Sequence, residues 1–253
     1  MTRTGMKKSI RFLLAAVFGL VLAIPAVWAQ GDAQAAAQKA LGASRFKNVQ
    51  VSVQNGIATL TGTVDVYDTK MNAEQKVHRA KGVDAVRNHI EVTGANVSDA
   101  QLQDKLIRSI QSDRIGYGTT AFNSISVAVQ NGVVTLGGYA YGPTDAASAV
   151  SVAANTKGVK DLIDLIQVNP VSPNDDRIRR DTFRAIYGYP ALNKYAIDPA
   201  KPIRIQVSGG HVTLYGQVDS QADKNMAGIR ANAVPGAFSV DNKLQVAGGA
   251  PEK

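Results

Sequence analysis

The chain has 253 residues, none of which is cysteine, and it contains only one tryptophan and three histidines. Without cysteine, the protein cannot form disulfide bonds, bind zinc through thiolates, use a thiol nucleophile or carry a lipid on an N-terminal cysteine. The sequence also lacks the H-E-x-x-H and G-x-S-x-G motifs, the P-loop and the glycine-rich dinucleotide fingerprint. We therefore expect no catalytic residues, no metal site and no cofactor.

Long apolar runs are equally scarce, and the clearest one covers residues 12–27. Four cations, Arg3, Lys7, Lys8 and Arg11, precede or open this run, and the small-residue pattern Val27-Trp28-Ala29 ends it. This order is typical of a secretory signal peptide, which we expect to comprise residues 1–29 and to be cut after Ala29. The alternative, an uncleaved anchor, needs about 20 apolar residues, whereas this run is shorter and Pro25 interrupts it. We therefore expect a periplasmic protein with no transmembrane anchor after processing.

Much of the net positive charge lies in that signal peptide. Lysine and arginine number 28 against 20 acids, a formal net charge of +8, and the signal peptide holds four of the cations and no acid. The remaining 24 cations against 20 acids give +4, which is a small excess for a chain of this length. Because the chain is also expected to be exported and has no G-x-x-G clamp, we expect no nucleic-acid partner.

One nine-residue pattern occurs three times, as QNGIATLTG from Gln54, QNGVVTLGG from Gln130 and SGGHVTLYG from Ser208. A second similar block follows each copy at the same distance, beginning at Lys81, Lys157 and Pro235. Self-similarity at a fixed spacing is typical of tandem domains. We expect repeat one at residues 33–95, repeat two at 98–170 and repeat three at 173–247, followed by a flexible tail at 248–253.

Each nine-residue pattern predicts the turn and second strand of a β-hairpin. The preceding residues alternate between apolar and polar, as Val51 and Val53 show, which is the sign of a half-buried strand. Asn-Gly or Gly-Gly at the tip satisfies the positive φ angles of a type I′ turn. The resulting register places Val53 opposite Ala58 and Val51 opposite Leu60, on the face that we expect to form the core.

A helix with a stripe of small residues, such as Ala149 and Ala153, follows each hairpin, and a further strand follows the helix. A strand–helix–strand connection favours a parallel, right-handed crossover. Another helix precedes each hairpin, most clearly at residues 99–113. The predicted fold class is α+β, with three tandem αββαβ modules, each a three-stranded mixed sheet packed on two helices.

Glycines recur at two further positions of the repeat. Gly62, Gly138 and Gly216 end the nine-residue pattern, and we expect the alanine-striped helix to pack closely over them. Gly82 and Gly158 follow that helix, and we expect them to cap its C-terminus.

The residues NGVVTLGG, the alanine-striped helix and the closing KGV…L…IQV pattern resemble the BON domain family of OsmY-like bacterial periplasmic proteins. The resemblance covers essentially the whole chain after the signal peptide. It implies a periplasmic αββαβ module that binds phospholipid or hydrophobic ligands, supports envelope integrity under osmotic stress and has no catalytic activity. The chain differs from better-known members in having three copies, and from lipoprotein members in having no cysteine to acylate.

The strongest basic cluster is Arg177, Arg180 and Arg184, at i, i+3 and i+7 of the first helix of repeat three. On one helix face these arginines would meet anionic lipid headgroups. The alternative is a solvated face, with Asp176 and Asp181 offsetting the charge. The neighbouring pair Asp175-Asp176 is explained by stabilisation of the helix N-terminus.

The second candidate surface is the face of the repeat-two sheet that points away from the helices. It carries Ile163 and Leu165, with Tyr139 and Tyr141 continuing the same parity, so repeat two is apolar on both faces. This face is either a ligand or partner site, or it is buried against a neighbouring repeat. Two functions remain open: association with an anionic phospholipid membrane or the envelope surface, and a protein-interaction or chaperone-like scaffold for envelope proteins.

Overall fold

The computed structural model describes residues 25–113, 120–169, 172–197 and 202–248. The expected signal peptide, apart from the backbone of residues 25–29, lies outside this range, as does the tail beyond residue 248. The helices are α1 (Pro25–Ala40), α2 (Tyr67–His78), α3 (Asp99–Asp113), α4 (Pro143–Ala154), α5 (Pro173–Tyr187), α6 (Lys194–Ile197) and α7 (Gln221–Asn232). The strands are β1 (Val49–Gln54), β2 (Ile57–Val64), β3 (Ala85–Asn88), β4 (Glu91–Val92), β5 (Ser124–Gln130), β6 (Val133–Ala140), β7 (Asp161–Asp164), β8 (Gln167–Val168), β9 (Arg204–Ser208), β10 (His211–Tyr215), β11 (Gln217–Val218), β12 (Ser239–Asn242) and β13 (Gln245–Val246).

Each repeat builds a sheet around the second strand of its hairpin. β1 pairs with β2, β5 with β6 and β9 with β10 in antiparallel fashion. The strand after the second helix then runs parallel to that central strand, as β3 does to β2, β7 to β6 and β12 to β10. Val53 lies opposite Ala58 and Val51 opposite Leu60, so the predicted register is confirmed. The α+β class and the three αββαβ modules are confirmed as well.

The glycine that ends each hairpin pattern has a positive φ angle. Gly62, Gly138 and Gly216 have φ angles of +113°, +80° and +122°. A Cβ atom on Gly138 would lie 2.1 Å from the carbonyl oxygen of Ser124, on the neighbouring strand, and one on Gly62 would lie 2.0 Å from that of Asn48. The backbone angle and the neighbouring carbonyl are thus what require glycine at these positions.

The glycines predicted to cap α2 and α4 lie just beyond them. α2 ends at His78 and α4 at Ala154, several residues before Gly82 and Gly158. Each glycine has a positive φ and sits in the next turn. The Val83 amide closes the first turn by donating to the Ala80 carbonyl at 3.2 Å, and the Val159 amide closes the second by donating to the Thr156 carbonyl at 3.3 Å. The prediction of a helix cap was thus wrong, and these glycines serve the turn into the third strand.

The third strand of each repeat is interrupted, which its sequence pattern did not predict. The interruption follows Asn88, Asp164 and Asn242, at equivalent positions. The Oδ1 atom of each residue accepts the amide N–H two residues further on, at 3.1, 3.0 and 3.3 Å. Since this bond satisfies a donor locally, the strand divides into the pairs β3 and β4, β7 and β8, and β12 and β13.

The buried apolar residues form three clusters that follow the repeats. The predicted helix stripe is buried, since Ala73, Ala149, Ala153, Ala227 and Ala231 are at most 2% exposed. The clusters of repeats one and two draw all their fully buried members from their own repeat. The cluster of repeat three also includes Ala121, which comes from repeat two.

Candidate functional site

The two acids predicted at the start of α5, Asp175 and Asp176, lie in its first turn. Ser172 caps the helix, because its Oγ accepts the Asp175 amide at 3.2 Å. The buried Asp175 carboxylate instead reaches the hairpin tip of repeat three and accepts the amides of Gly209 and Gly210 at 2.9 and 2.8 Å. Asp176 forms an ion pair with Arg179. The first acid therefore joins α5 to the sheet, and the second accompanies a buried cation.

The arginine surface, consisting of Arg177, Arg180 and Arg184, lies on the exposed side of α5. Asp181 lies among the three, with carboxylate oxygens 3.3 Å from Arg177 and 3.1 Å from Arg184. Arg177 also donates to the carbonyl of Pro235 at 3.2 Å. Asp181 thus offsets one charge, as the solvated-face alternative predicts. Three guanidinium groups and one carboxylate leave a net two positive charges on this surface.

Arg179 is the residue of α5 that the sequence analysis missed. Its side chain is 2% exposed, it donates to the carbonyl of Val207 at 3.0 Å, and its guanidinium carbon lies 5.0 Å from the ring centre of Tyr141. Its place in the helix could have indicated it, because Gln103 lies four residues after Asp99, as Arg179 lies four residues after Asp175, and Gln103 donates to the carbonyl of Val127 at 3.0 Å. Gln103 thus binds the first strand of repeat two, whereas Arg179 binds the first strand of repeat three and also contacts repeat two.

The four predicted residues of the repeat-two sheet are not brought together in one surface. Tyr141 lies at the boundary with repeat three, where its ring centre is 5.5 Å from that of Phe122. Tyr139 is half-buried and lies opposite Ser124 in the sheet. Ile163 and Leu165 are 46% and 61% exposed, so no neighbouring repeat buries them.

Ile163 lies on an edge strand. β7 follows β6 at the end of the sheet order β5-β6-β7, and Ile163 lines a shallow groove with Val133 and Thr135. We call Ile163 and Leu165, with this groove, the repeat-two face. It is uncharged at its centre and open to solvent along the sheet edge, which suits a partner that brings an apolar or extended segment.

The loop before the hairpin of repeat three is held by a polar network. The Tyr195 hydroxyl donates to the Asp223 carboxylate at 2.8 Å and accepts the Asp219 amide at 2.7 Å, and Lys194 lies 3.0 Å from Asp223. Burial alone would raise the pKa of Asp223, but hydrogen bonds from Tyr195, Lys194 and Ser220 outweigh it and lower that pKa. The loop is thus fastened to the start of α7.

Repeats one and two meet at a tyrosine. Tyr67 of repeat one packs against the core of repeat two. Burial, followed by the charge and hydrogen bond of Asp161, raises the pKa of Tyr67 to about 12. The Tyr67 hydroxyl is therefore protonated at physiological pH and ties the two repeats together through Asp161.

Within the residues that the structure describes, His, Asp and Glu side chains form no group of three or more that could hold a metal ion. The helices among the same residues are all too short or too polar to cross a bilayer. A small cavity of about 30 Å³ lies between repeats two and three, lined in part by Asn123, Asp145 and Arg204, which is room for about one water molecule. The candidate contacts are therefore surfaces rather than an enclosed pocket.

The BON domain family model matches residues 29–94, 98–170 and 190–248, well over half of the chain. Together with the three αββαβ modules, these matches show that the chain belongs to the BON domain family. The third match begins after α5, although α5 packs as the first helix of repeat three.

Two curated proteins are similar over about half of the chain. Osmotically-inducible protein Y of Escherichia coli (strain K12) is 33% identical over 122 residues, which are 48% of this chain and 61% of that protein. The match thus spans less than two thirds of that relative's length. The Anaplasma centrale protein named "Uncharacterized protein in gshII 5′ region" is 26% identical over 125 residues, 49% of this chain and 83% of that protein.

Among solved structures, CdsD, a structural protein of the type III secretion system of Chlamydia trachomatis, aligns with 85% of this chain and 90% of its own. Its sequence identity is 15% and its TM-score is 0.24. A TM-score this low carries no argument about the fold or function of this protein.

Proposed function

We propose that this chain is a non-enzymatic periplasmic BON protein that associates reversibly with the phospholipid surface of the cell envelope and supports envelope integrity under osmotic stress. Membership of the BON domain family supports the class, and the name of the relative, osmotically-inducible protein Y, supports the link to osmotic stress. The expected signal peptide supports the periplasmic location. Phospholipid is the ligand because one exposed helix face has the matching charge.

The observation that carries this proposal is the arginine surface. Arg180 and Arg184 project into solvent from one face of α5, and Asp181 offsets only one of the three guanidinium charges. Each basic residue near an anionic bilayer contributes about 1 kcal/mol. Two net charges therefore give about 2 kcal/mol, which supports weak surface association and falls short of stable anchoring.

Vesicle flotation tests the proposal. The mature protein is expected to float with vesicles that contain phosphatidylglycerol and to remain behind with vesicles of phosphatidylcholine alone. The double variant Arg180→Glu/Arg184→Glu should no longer float, because it reverses two exposed charges. Arg177 is left in place since it bonds the backbone at Pro235.

The matched control is Lys76→Glu/Arg79→Glu, which makes the same charge change at exposed positions at the end of α2 in repeat one. This variant is expected to float like the wild type. Equal loss in both double variants would show that only the total charge matters, and flotation of Arg180→Glu/Arg184→Glu would remove α5 as the membrane contact.

A second candidate function, a scaffold that binds envelope proteins, is favoured by the repeat-two face. Ile163 and Leu165 are exposed beside β7, which is an edge strand of its sheet among the described residues, and an extended segment of a partner can add a strand at such an edge. If this function holds, Ile163→Ser/Leu165→Ser should lose the proteins that the wild type captures from an envelope extract, while still floating with anionic vesicles. Failure of the wild type to float, with retained capture, would place this function first.

A further inference from the structure

The boundary between repeats two and three differs from an ordinary contact between finished domains. Ala121, which belongs to the 3-10 turn Thr120–Phe122 ahead of the repeat-two hairpin, is 6% exposed and lies within the buried cluster of repeat three. Phe122 packs against the same cluster. The core of repeat three is therefore closed by residues that the sequence places in repeat two.

A chain of aromatic rings extends this shared core. The Phe122 ring centre lies 5.5 Å from that of Tyr141 in repeat two and 5.8 Å from that of Phe183 in repeat three. The Phe183 ring in turn lies 4.6 Å from Tyr187, whose hydroxyl donates to the Ile203 carbonyl at 2.7 Å. Separation of the repeats would expose to water the side of Phe122 that packs on Phe183, which opposes separation.

Two buried or half-buried arginines of repeat three also contact residues of repeat two. Arg204 donates to the carbonyl of Asn123 at 2.6 Å, and the Asn123 side chain accepts the Tyr141 amide at 2.8 Å. Arg179, buried and paired with Asp176, faces the Tyr141 ring at 5.0 Å. A buried cation that loses such a partner is strongly disfavoured, so these contacts make the state of each repeat depend on the other.

We propose that repeats two and three form one obligate folding unit, closed by Phe122 from the side of repeat two and by Arg179 from the side of repeat three. The comparison among repeats shows why Arg179 couples them. Gln34 and Gln103 each bind the first strand of their own repeat through one amide, at 3.0 Å from the carbonyls of Val51 and Val127. Arg179 also binds the first strand of its own repeat, at the carbonyl of Val207, which lies two residues beyond the equivalent of Val127, and it reaches further to Tyr141.

The glutamine of repeat two suggests a specific substitution for Arg179. Arg179→Gln gives repeat three the residue type found at this place in repeat two, so it retains a side-chain amide donor facing its own first strand and removes the contact with Tyr141. Native-state hydrogen exchange of the full-length mature chain, followed by mass spectrometry across a denaturant series, reports on each repeat separately. Peptides from the central strands β6 and β10 represent repeats two and three.

In the wild type, β6 and β10 are expected to lose protection at the same denaturant concentration. In Arg179→Gln, exchange should accelerate about tenfold in both strands, as expected for the loss of a desolvated cation–π contact. Phe122→Ala should accelerate exchange in β10, although the changed residue belongs to repeat two. Arg180→Gln, one position along on the exposed face of α5, is the control and should leave the rates unchanged.

Separate midpoints for β6 and β10 in the wild type would overturn the proposed unit. Acceleration in β10 alone after Arg179→Gln would show that Arg179 acts only within repeat three, and unchanged exchange in β10 after Phe122→Ala would remove the shared core. None of these outcomes depends on membrane or protein binding, so they test this inference independently of the proposed function.

Discussion

Gly138 combines a backbone φ of +80° with a carbonyl oxygen, that of Ser124, only 2.1 Å from where a Cβ atom would lie. L-residues rarely adopt this φ, and the obstructing atom is backbone that cannot rotate away. Gly137, the preceding residue, does not have a positive φ angle. The nearest atom to a Cβ at Gly137 is the Ser126 side-chain oxygen at 3.1 Å. Two adjacent glycines are thus under very different constraints.

Gly138→Ala is expected to lower the free energy of unfolding by about 1–3 kcal/mol, because alanine must strain the backbone or displace the neighbouring strand. Gly137→Ala, the adjacent control, should change it by less than about 1 kcal/mol, since Ser126 can rotate. Urea unfolding at constant pH measures both changes. Equal effects of the two substitutions would contradict this explanation of the glycine.

The ionisation of Asp223 determines the direction in which its contribution to stability changes with pH. Its pKa in the folded protein is lowered from 3.8, because hydrogen bonds from Tyr195, Lys194 and Ser220 outweigh burial. A carboxylate with a lowered pKa stabilises the fold above its unfolded pKa, and this contribution is lost as the pH falls through the folded value. The loss therefore begins near pH 3.8 and continues below it.

We expect Asp223→Asn to be less stable than the wild type at pH 6, and the difference between their melting temperatures to narrow as the pH falls below 3.8. Thermal unfolding of both proteins from pH 6 to pH 3 measures it. Ala222→Ser, at an exposed position of α7 next to Asp223, leaves this carboxylate in place and is the control. A difference that stays constant over this pH range would show that the network does not depend on the ionised carboxylate.

At the scale of helices and strands, two acids join the first helix of a repeat to its hairpin tip. Asp99 accepts the amides of Asn131 and Gly132 at 2.6 and 2.9 Å, and Asp175 makes the same pair of bonds in repeat three. Backbone amides at a type I′ turn have no partner within the hairpin tip, so a carboxylate satisfies both donors. These bonds fix how each helix lies on its sheet.

Asp175→Ala should lower the free energy of unfolding by about 1–3 kcal/mol, because it leaves two turn amides without their acceptor, one of them buried. Asp181→Asn, on the same helix, removes only exposed ion pairs to Arg177 and Arg184 and should cost at most about 1 kcal/mol. Chemical denaturation of both variants provides the test. A larger effect of Asp181→Asn would mean that the arginine surface, and not the helix–hairpin bond, holds α5.

The elements that the sequence predicted are those encoded by local periodicity and turn chemistry. Residues 99–113 form a helix with the predicted bounds, and the Asn-Gly tips adopt positive φ at both positions. The interruption after Asn88 was not predictable from alternation, because it depends on one side chain that bonds its own backbone. The burial of Arg179 depends on Tyr141, which is distant in sequence, so the local charge pattern could not indicate it.

At the scale of the whole molecule, the repeats differ in how they join. Tyr67 links repeats one and two through Asp161, whereas repeats two and three share buried side chains. The repeat pattern predicted three units and their internal topology, but inter-repeat contacts are made by residues that differ between copies. The candidate surfaces were predictable only in part. Sequence spacing predicted that Arg180 lies beside other arginines and Ile163 beside other apolar residues, whereas the exposure of both side chains could be read only from the fold.

Salt distinguishes the two surfaces in the whole protein. The arginine surface attracts an anionic bilayer over a Debye length of about 8–10 Å at physiological ionic strength, which falls to about 3 Å at 1 M salt. If that surface makes the contact, flotation with phosphatidylglycerol vesicles should be strongest at low salt and decline progressively as salt rises, because the attraction is electrostatic and amounts to only about 2 kcal/mol. Insertion of Ile163 and Leu165 would instead persist at high salt, since burial of apolar side chains does not depend on screening.

Flotation measured from low salt to 1 M separates these cases, with Ile163→Ser/Leu165→Ser as the control. If the wild type remains bound at 1 M salt and this variant does not, the membrane contact lies on the repeat-two face and not on α5.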